Sequence, residues 1–134
     1  WLASKAVVPH MKKQKWGRII NLSSALGLAG MQDRTPYCTS KGAVIQMTKA
    51  LANELAAFNI TVNAICPGLI HTNIQERTDQ IGIKVELPGG NPALHGGEGE
   101  AVDVADACLF LASDLGRHVS GIELYVDGGA SLLR

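Results

Sequence analysis

Three side chains in the first third of the chain are of types that can do chemistry together. Ser24 is followed thirteen positions later by Tyr37, and Tyr37 four positions later by Lys41. A serine hydroxyl can polarise a carbonyl, a phenol can transfer the proton, and an ammonium can make the phenol acidic enough to do it. Tyr37 and Lys41 are i and i+4, so on a helix they share one face, one turn apart. Tyrosine titrates near ~10 when unperturbed; a neighbouring cation favours the phenolate and brings that value towards neutrality, where acid–base work is efficient. Ser24 also has a plainer reading, as a loop serine satisfying its own backbone. Beside Tyr37 and Lys41 the chemical reading is the stronger.

The elements around these residues follow from the apolar pattern. Leu2, Ala6, Val7 and Met11 recur at helical spacing from Trp1 to about Lys13, and Pro9 is expected to bend or shorten that helix. Arg18 to Leu22 is a short β run, expected as a parallel strand and as the open edge of the sheet. It ends at Ser23 and Ser24, and ligands of open α/β sheets sit beyond the carboxyl ends of strands. Ala25 to Thr35 reads as a loop, and Pro36 suits the first turn of a helix from about Tyr37 to Ala57. Val44, Met47, Leu51 and Leu55 form that helix's apolar stripe, and Asn59 is a left-handed terminator. Ile60 to Cys66 is the next strand, stopped by Pro67 and Gly68 beside the Ser24 turn. Ala101 to Asp114 is a further helix with Val104, Cys108, Leu109 and Leu111 inward, and Gly121 to Asp127 is the last strand.

Taken with the segments Gly17–Ser24 (GRIINLSS), Asn59–Thr72 (NITVNAICPGLIHT) and Gly121–Gly129 (GIELYVDGG), the Ser24, Tyr37, Lys41 spacing resembles the short-chain dehydrogenase/reductase family of the classical type. The four segments stand in family order; only Asn73 to Gly99 is unlike any common pattern. The resemblance implies an α/β fold, the C-terminal half of a doubly wound parallel-sheet Rossmann fold. It also implies an oxidoreductase that moves hydride between NAD or NADP and an alcohol/carbonyl pair. Ser24 would hold the substrate oxygen, Tyr37 would transfer the proton, and Lys41 would lower the tyrosine pKa and bind the nicotinamide ribose. Pro67 to Thr72 would pass the nicotinamide: Pro67 and Gly68 form the turn, the backbone of Ile70 would meet the carboxamide, and Thr72 would reach the carboxamide or a phosphate. Residues 73–99 would be the substrate loop, expected to be mobile without ligand. The family's partners are small molecules and further copies of the chain, in dimers or tetramers.

The chain opens in mid-pattern, without an initiator Met, and no glycine-rich phosphate turn follows a strand anywhere in it. Residues 1–134 are therefore expected to be a partial Rossmann domain, with the phosphate-binding half absent. Two other readings keep the same fold: a non-catalytic interaction module, and a dehydratase or epimerase. At 134 residues the chain suffices for one domain, and 46% hydrophobic against 18% charged residues argues against disorder. Twelve acids balance twelve bases, so nothing points to nucleic acid or an anionic membrane. Cys38, Cys66 and Cys108 lack metal-ligand spacing and read as buried free thiols of a cytoplasmic protein. His71 and His95 have no matching ligand cluster and read as polar loop residues.

Overall fold

The run from Ile60 to Cys66 is apolar or β-branched on both faces, and it becomes the middle strand of a three-stranded parallel sheet. The computed structural model describes residues 1–74, 80, 82 and 97–132. Among them the order is α1 (Leu2–Gln14), β1 (Gly17–Leu22), α2 (Thr35–Leu55), β2 (Ile60–Pro67), α3 (Ala101–Ala112) and β3 (Glu123–Val126). The strand order is β1-β2-β3, with Gly17 to Leu22 opposite Ile60 to Ile65, and Ala64 to Pro67 opposite Glu123 to Val126. Among the described residues β1 therefore has a strand partner on one side only, as its edge position predicts. Most of residues 73–99, the expected substrate loop and His95 included, lies outside the described residues.

Alternate residues of β2 line one face of the sheet and build its core. Ile60 and Val62 of β2 cluster with Ile19 of β1 and with Leu51, Ala52 and Leu55 of α2, and Val8, Met11, Met47 and Phe58 close the edges. Ala64 and Cys66 continue the same face and pack with Ile45 and Tyr125. The α2 stripe thus runs through Ile45, Thr48, Leu51, Ala52 and Leu55, with Val44 and Met47 half-buried at its margin. Pro9 does not shorten α1, which runs through it unbroken. Val8 and Met11 on either side of it pack on the core, and that burial offsets the missing proline N–H. Asn59 takes the left-handed conformation that ends the α2 segment, at φ 57°.

Helix α3 corrects one expectation. Leu111 is fully buried, but Leu109 is 67% exposed. At 3.6 residues per turn the two lie about 200° apart around the helix, so only one can face the sheet. A reciprocal capping box between Glu100 and Asp103 starts α3, and the helix stops at Ala112, two residues before the expected end. β3 is likewise shorter than expected, because Gly121 at φ +81° belongs to the turn before it.

Asn63 stands in the middle of β2 with no exposed surface. Its amide donates to the Val119 carbonyl at 2.8 Å and accepts from the Ile122 N–H at 3.3 Å. One side chain thereby fastens the entry to β3 onto the central strand. Asn63→Ala removes both bonds, and each buried group left unpaired costs roughly 1–3 kcal/mol. The expected outcome is a lowered denaturant midpoint with an unchanged slope; a midpoint equal to that of the unmodified protein would contradict this role.

Candidate active site

β1 delivers Ser23 and Ser24 to its carboxyl end, where both are buried. The Ser23 N–H donates to the Ile65 carbonyl at 2.8 Å, which continues the ladder one residue past the strand. Ser24 then opens a 3-10 turn over Ala25–Gly27, and its Oγ accepts from the Leu26 N–H at 3.2 Å. The plain reading of Ser24 is thus observed in part. A hydroxyl offers one donor and two acceptor sites, so the cap leaves the Ser24 proton in place.

Tyr37 and Lys41 both lie on α2, one turn apart. The Lys41 Nζ stands 5.7 Å from the centroid of the Tyr37 ring and donates to the Leu22 carbonyl at 3.2 Å. Lys41 is tied at its other end too, because the Ser23 Oγ donates to the Lys41 carbonyl at 2.8 Å. The 3-10 turn reaches α2 at this point because both meeting residues are glycines. A Cβ on Gly27 would stand 2.9 Å from the Lys41 carbonyl carbon, and one on Gly42 would stand 3.0 Å from the Gly27 oxygen. Tyr37 remains 44% exposed, so its phenol is open to a ligand. An ammonium has three donors, and the bond to Leu22 uses one. The others suit sugar hydroxyls, which is the donor chemistry that a nucleotide ribose requires.

The Pro67–Gly68 turn lies beside Ser24. The Cys66 thiol, at the end of β2, has no exposed surface. Burial pushes that thiol up from its ordinary value, so it stays protonated. Cys38 and Cys108 are half-buried rather than buried, and all three cysteines are free. Beyond Gly68, the Gly99 N–H donates to the Leu69 carbonyl at 2.9 Å and the His71 N–H donates to the Gly99 carbonyl at 2.7 Å. In a parallel bridge of this kind the amide groups of Ile70 itself point to the other side. Thr72 Oγ1 accepts from the Ile74 N–H at 3.4 Å. His71 pairs with Glu98 at 3.4 Å at the same neck, in keeping with a polar loop residue. Among the described residues no group of His, Cys, Asp or Glu could hold a metal ion.

Asp127 holds the turn from the other side. Its carboxylate accepts from the Gly129 and Ser131 N–H groups, each at 2.9 Å, and a Cβ on Gly68 would stand 2.7 Å from the Asp127 Cβ. Burial alone would raise this carboxyl, but the bonds from Ser131 and Gly129 outweigh it and hold it below the ordinary value. A depressed folded value means stability that is present above the unfolded pKa and lost as pH falls through the folded one. Asp127→Asn is therefore expected to lower stability at neutral pH and to flatten its decline in acid. Denaturant midpoints taken from neutral pH down to about pH 3 test this; parallel declines in the two proteins would contradict it.

Sequence reasoning did not single out Ser23, Asn63, Gly27, Gly42 or Asp127. Only Asn63 carries a local signal, as an amide inside an otherwise apolar or β-branched run. Ser23, Gly27 and Gly42 act through contacts between segments apart in the chain, such as Ser23 donating to the Lys41 carbonyl at 2.8 Å; Asp127 joins its own turn to Gly68.

The parallel sheet and its helices define a Rossmann-type α/β protein, and the chain belongs to the short-chain dehydrogenase/reductase family. The family model that matches is described as enoyl-(acyl carrier protein) reductase and covers residues 1–131. The 3-oxoacyl-[acyl-carrier-protein] reductase FabG of Haemophilus influenzae is 42% identical over 132 residues, which are 96% of this chain and 52% of that protein. The cyclopentanol dehydrogenase of Comamonas testosteroni is 43% identical over 130 residues, 96% of this chain and 51% of that one. Among solved structures, levodione reductase superposes with a TM-score of 0.86 at 28% identity, over 99% of this chain and 54% of that one. ElxO with NADP bound gives 0.83 at 34% identity, over 95% and 51%. The chain thus spans about half the length of the curated relatives it matches.

Proposed function

We propose that the chain carries the catalytic residues of an NAD- or NADP-dependent oxidoreductase that interconverts an alcohol and a carbonyl. The observation that carries this reading is the arrangement at Lys41. Its ammonium lies beside the Tyr37 ring, while consecutive residues at the end of β1, just before Ser24, hold both its side chain and its backbone. Ser24 holds the substrate oxygen, and Tyr37 donates the proton in reduction or accepts it in oxidation. Lys41 lies beside the phenol and binds the nicotinamide ribose. Pro67, Gly68, Ile70 and Thr72 border the nicotinamide. The cofactor supplies the hydride, and these side chains supply orientation and electrostatic stabilisation.

The pyrophosphate-binding turn belongs, on this reading, to polypeptide outside these 134 residues. The three free thiols suit a reducing cytoplasm. The exposed Leu2 and Val7 of α1 and Val102 and Leu109 of α3 suit a homo-oligomer, a dimer or tetramer. The partner in the reaction is a small alcohol or carbonyl compound. Loss of reduced-nicotinamide absorbance on adding acetoacetyl-CoA or cyclopentanone to the complete protein, with NADH and NADPH in parallel, tests the proposal. Oxidation of either cofactor with either probe is expected. Cofactor binding without oxidation across a broad carbonyl panel would favour a non-catalytic interaction module instead.

A further inference from the structure

We infer that Ser23, the neighbour of the proposed catalytic serine, is a positioning residue that sets the register of Lys41 and Tyr37 against Ser24. This inference rests on the catalytic reading proposed above. Ser23 is buried and faces the helix rather than the open end of the sheet. Its Oγ donates to the Lys41 carbonyl at 2.8 Å, and its own N–H donates to Ile65 at 2.8 Å. Ser23 thereby joins three elements: β1 by its backbone, β2 through Ile65, and α2 at the lysine.

The clamp falls where an error would matter. Lys41 Nζ donates to Leu22 and the Lys41 carbonyl accepts from Ser23, so two consecutive residues at the end of β1 hold both the side chain and the backbone of this one lysine. The glycine contact between Gly27 and Gly42 brings the elements close but carries no direction; the Ser23 hydrogen bond supplies one. A slip of about 1 Å between a nucleophile or base and its partner costs up to about a hundredfold in rate.

In the complete protein, Ser23→Ala is expected to lower kcat by ten- to a hundredfold, with the carbonyl KM changed less than twofold. Ser23→Cys, which keeps the size and a weak donor, should recover part of the lost kcat. If Ser23→Ala does not fold, Ser23→Cys is read alone, with a smaller loss of kcat at unchanged KM expected. Normal kcat in the folded variant would overturn the inference, as would a loss confined to thermal stability. Tyr37→Phe run alongside separates the two claims: if that variant turns over normally, the catalytic reading has failed, whereas its inactivity beside a normal Ser23→Ala defeats the positioning role alone.

Discussion

Tyr37→Phe in the complete protein is expected to keep cofactor affinity and lose turnover. The phenyl ring fills the same space on the first turns of α2, and only the transferable proton disappears. Because Tyr37 is substantially exposed and packs little, the change leaves the core clusters untouched. General acid–base groups contribute typically ~10²–10⁴-fold, so the fall in kcat should be at least that large. Cofactor titration by fluorescence and steady-state turnover, measured on the same preparation, check the two halves of the expectation. Near-normal kcat would remove Tyr37 from the chemistry.

Lys41→Met should behave differently, because the lysine serves both the phenol and the ribose. The Met side chain keeps the apolar stem but donates to neither Leu22 nor a sugar hydroxyl. Weaker cofactor binding is expected together with a lower kcat. Isothermal titration with the cofactor and steady-state rates measure both. If neither moves, Lys41 is a surface lysine whose bond to Leu22 is structural.

Much of this was legible from residue order, and the boundary has physical causes. Ile60 to Cys66 announces a buried parallel strand because both its faces, Asn63 apart, are apolar or β-branched. Pro36 and Asn59 bracket α2 because each fixes a backbone conformation locally. Leu109 misled because α3 is apolar nearly all round, and periodicity cannot choose a face when most positions qualify. Pro9 does not shorten α1, for the complementary reason: a local breaker was overruled by packing on either side of it. The positions of Ser24, Tyr37 and Lys41 on strand end and helix were readable from spacing. What holds them was not, because the Ser23–Lys41 bond and the Gly27–Gly42 approach join segments that only the folded chain brings together.

The central claim, hydride transfer by this site, is tested most directly by isotope. Reduced nicotinamide carrying deuterium at the transferring carbon is incubated with the complete protein and a carbonyl probe it accepts, and the product is analysed by mass spectrometry. The expected result is one deuterium on the former carbonyl carbon, at a rate that Tyr37→Phe abolishes. Product without deuterium, or deuterium returned to the cofactor as in an epimerase or dehydratase cycle, would contradict net reduction of the carbonyl.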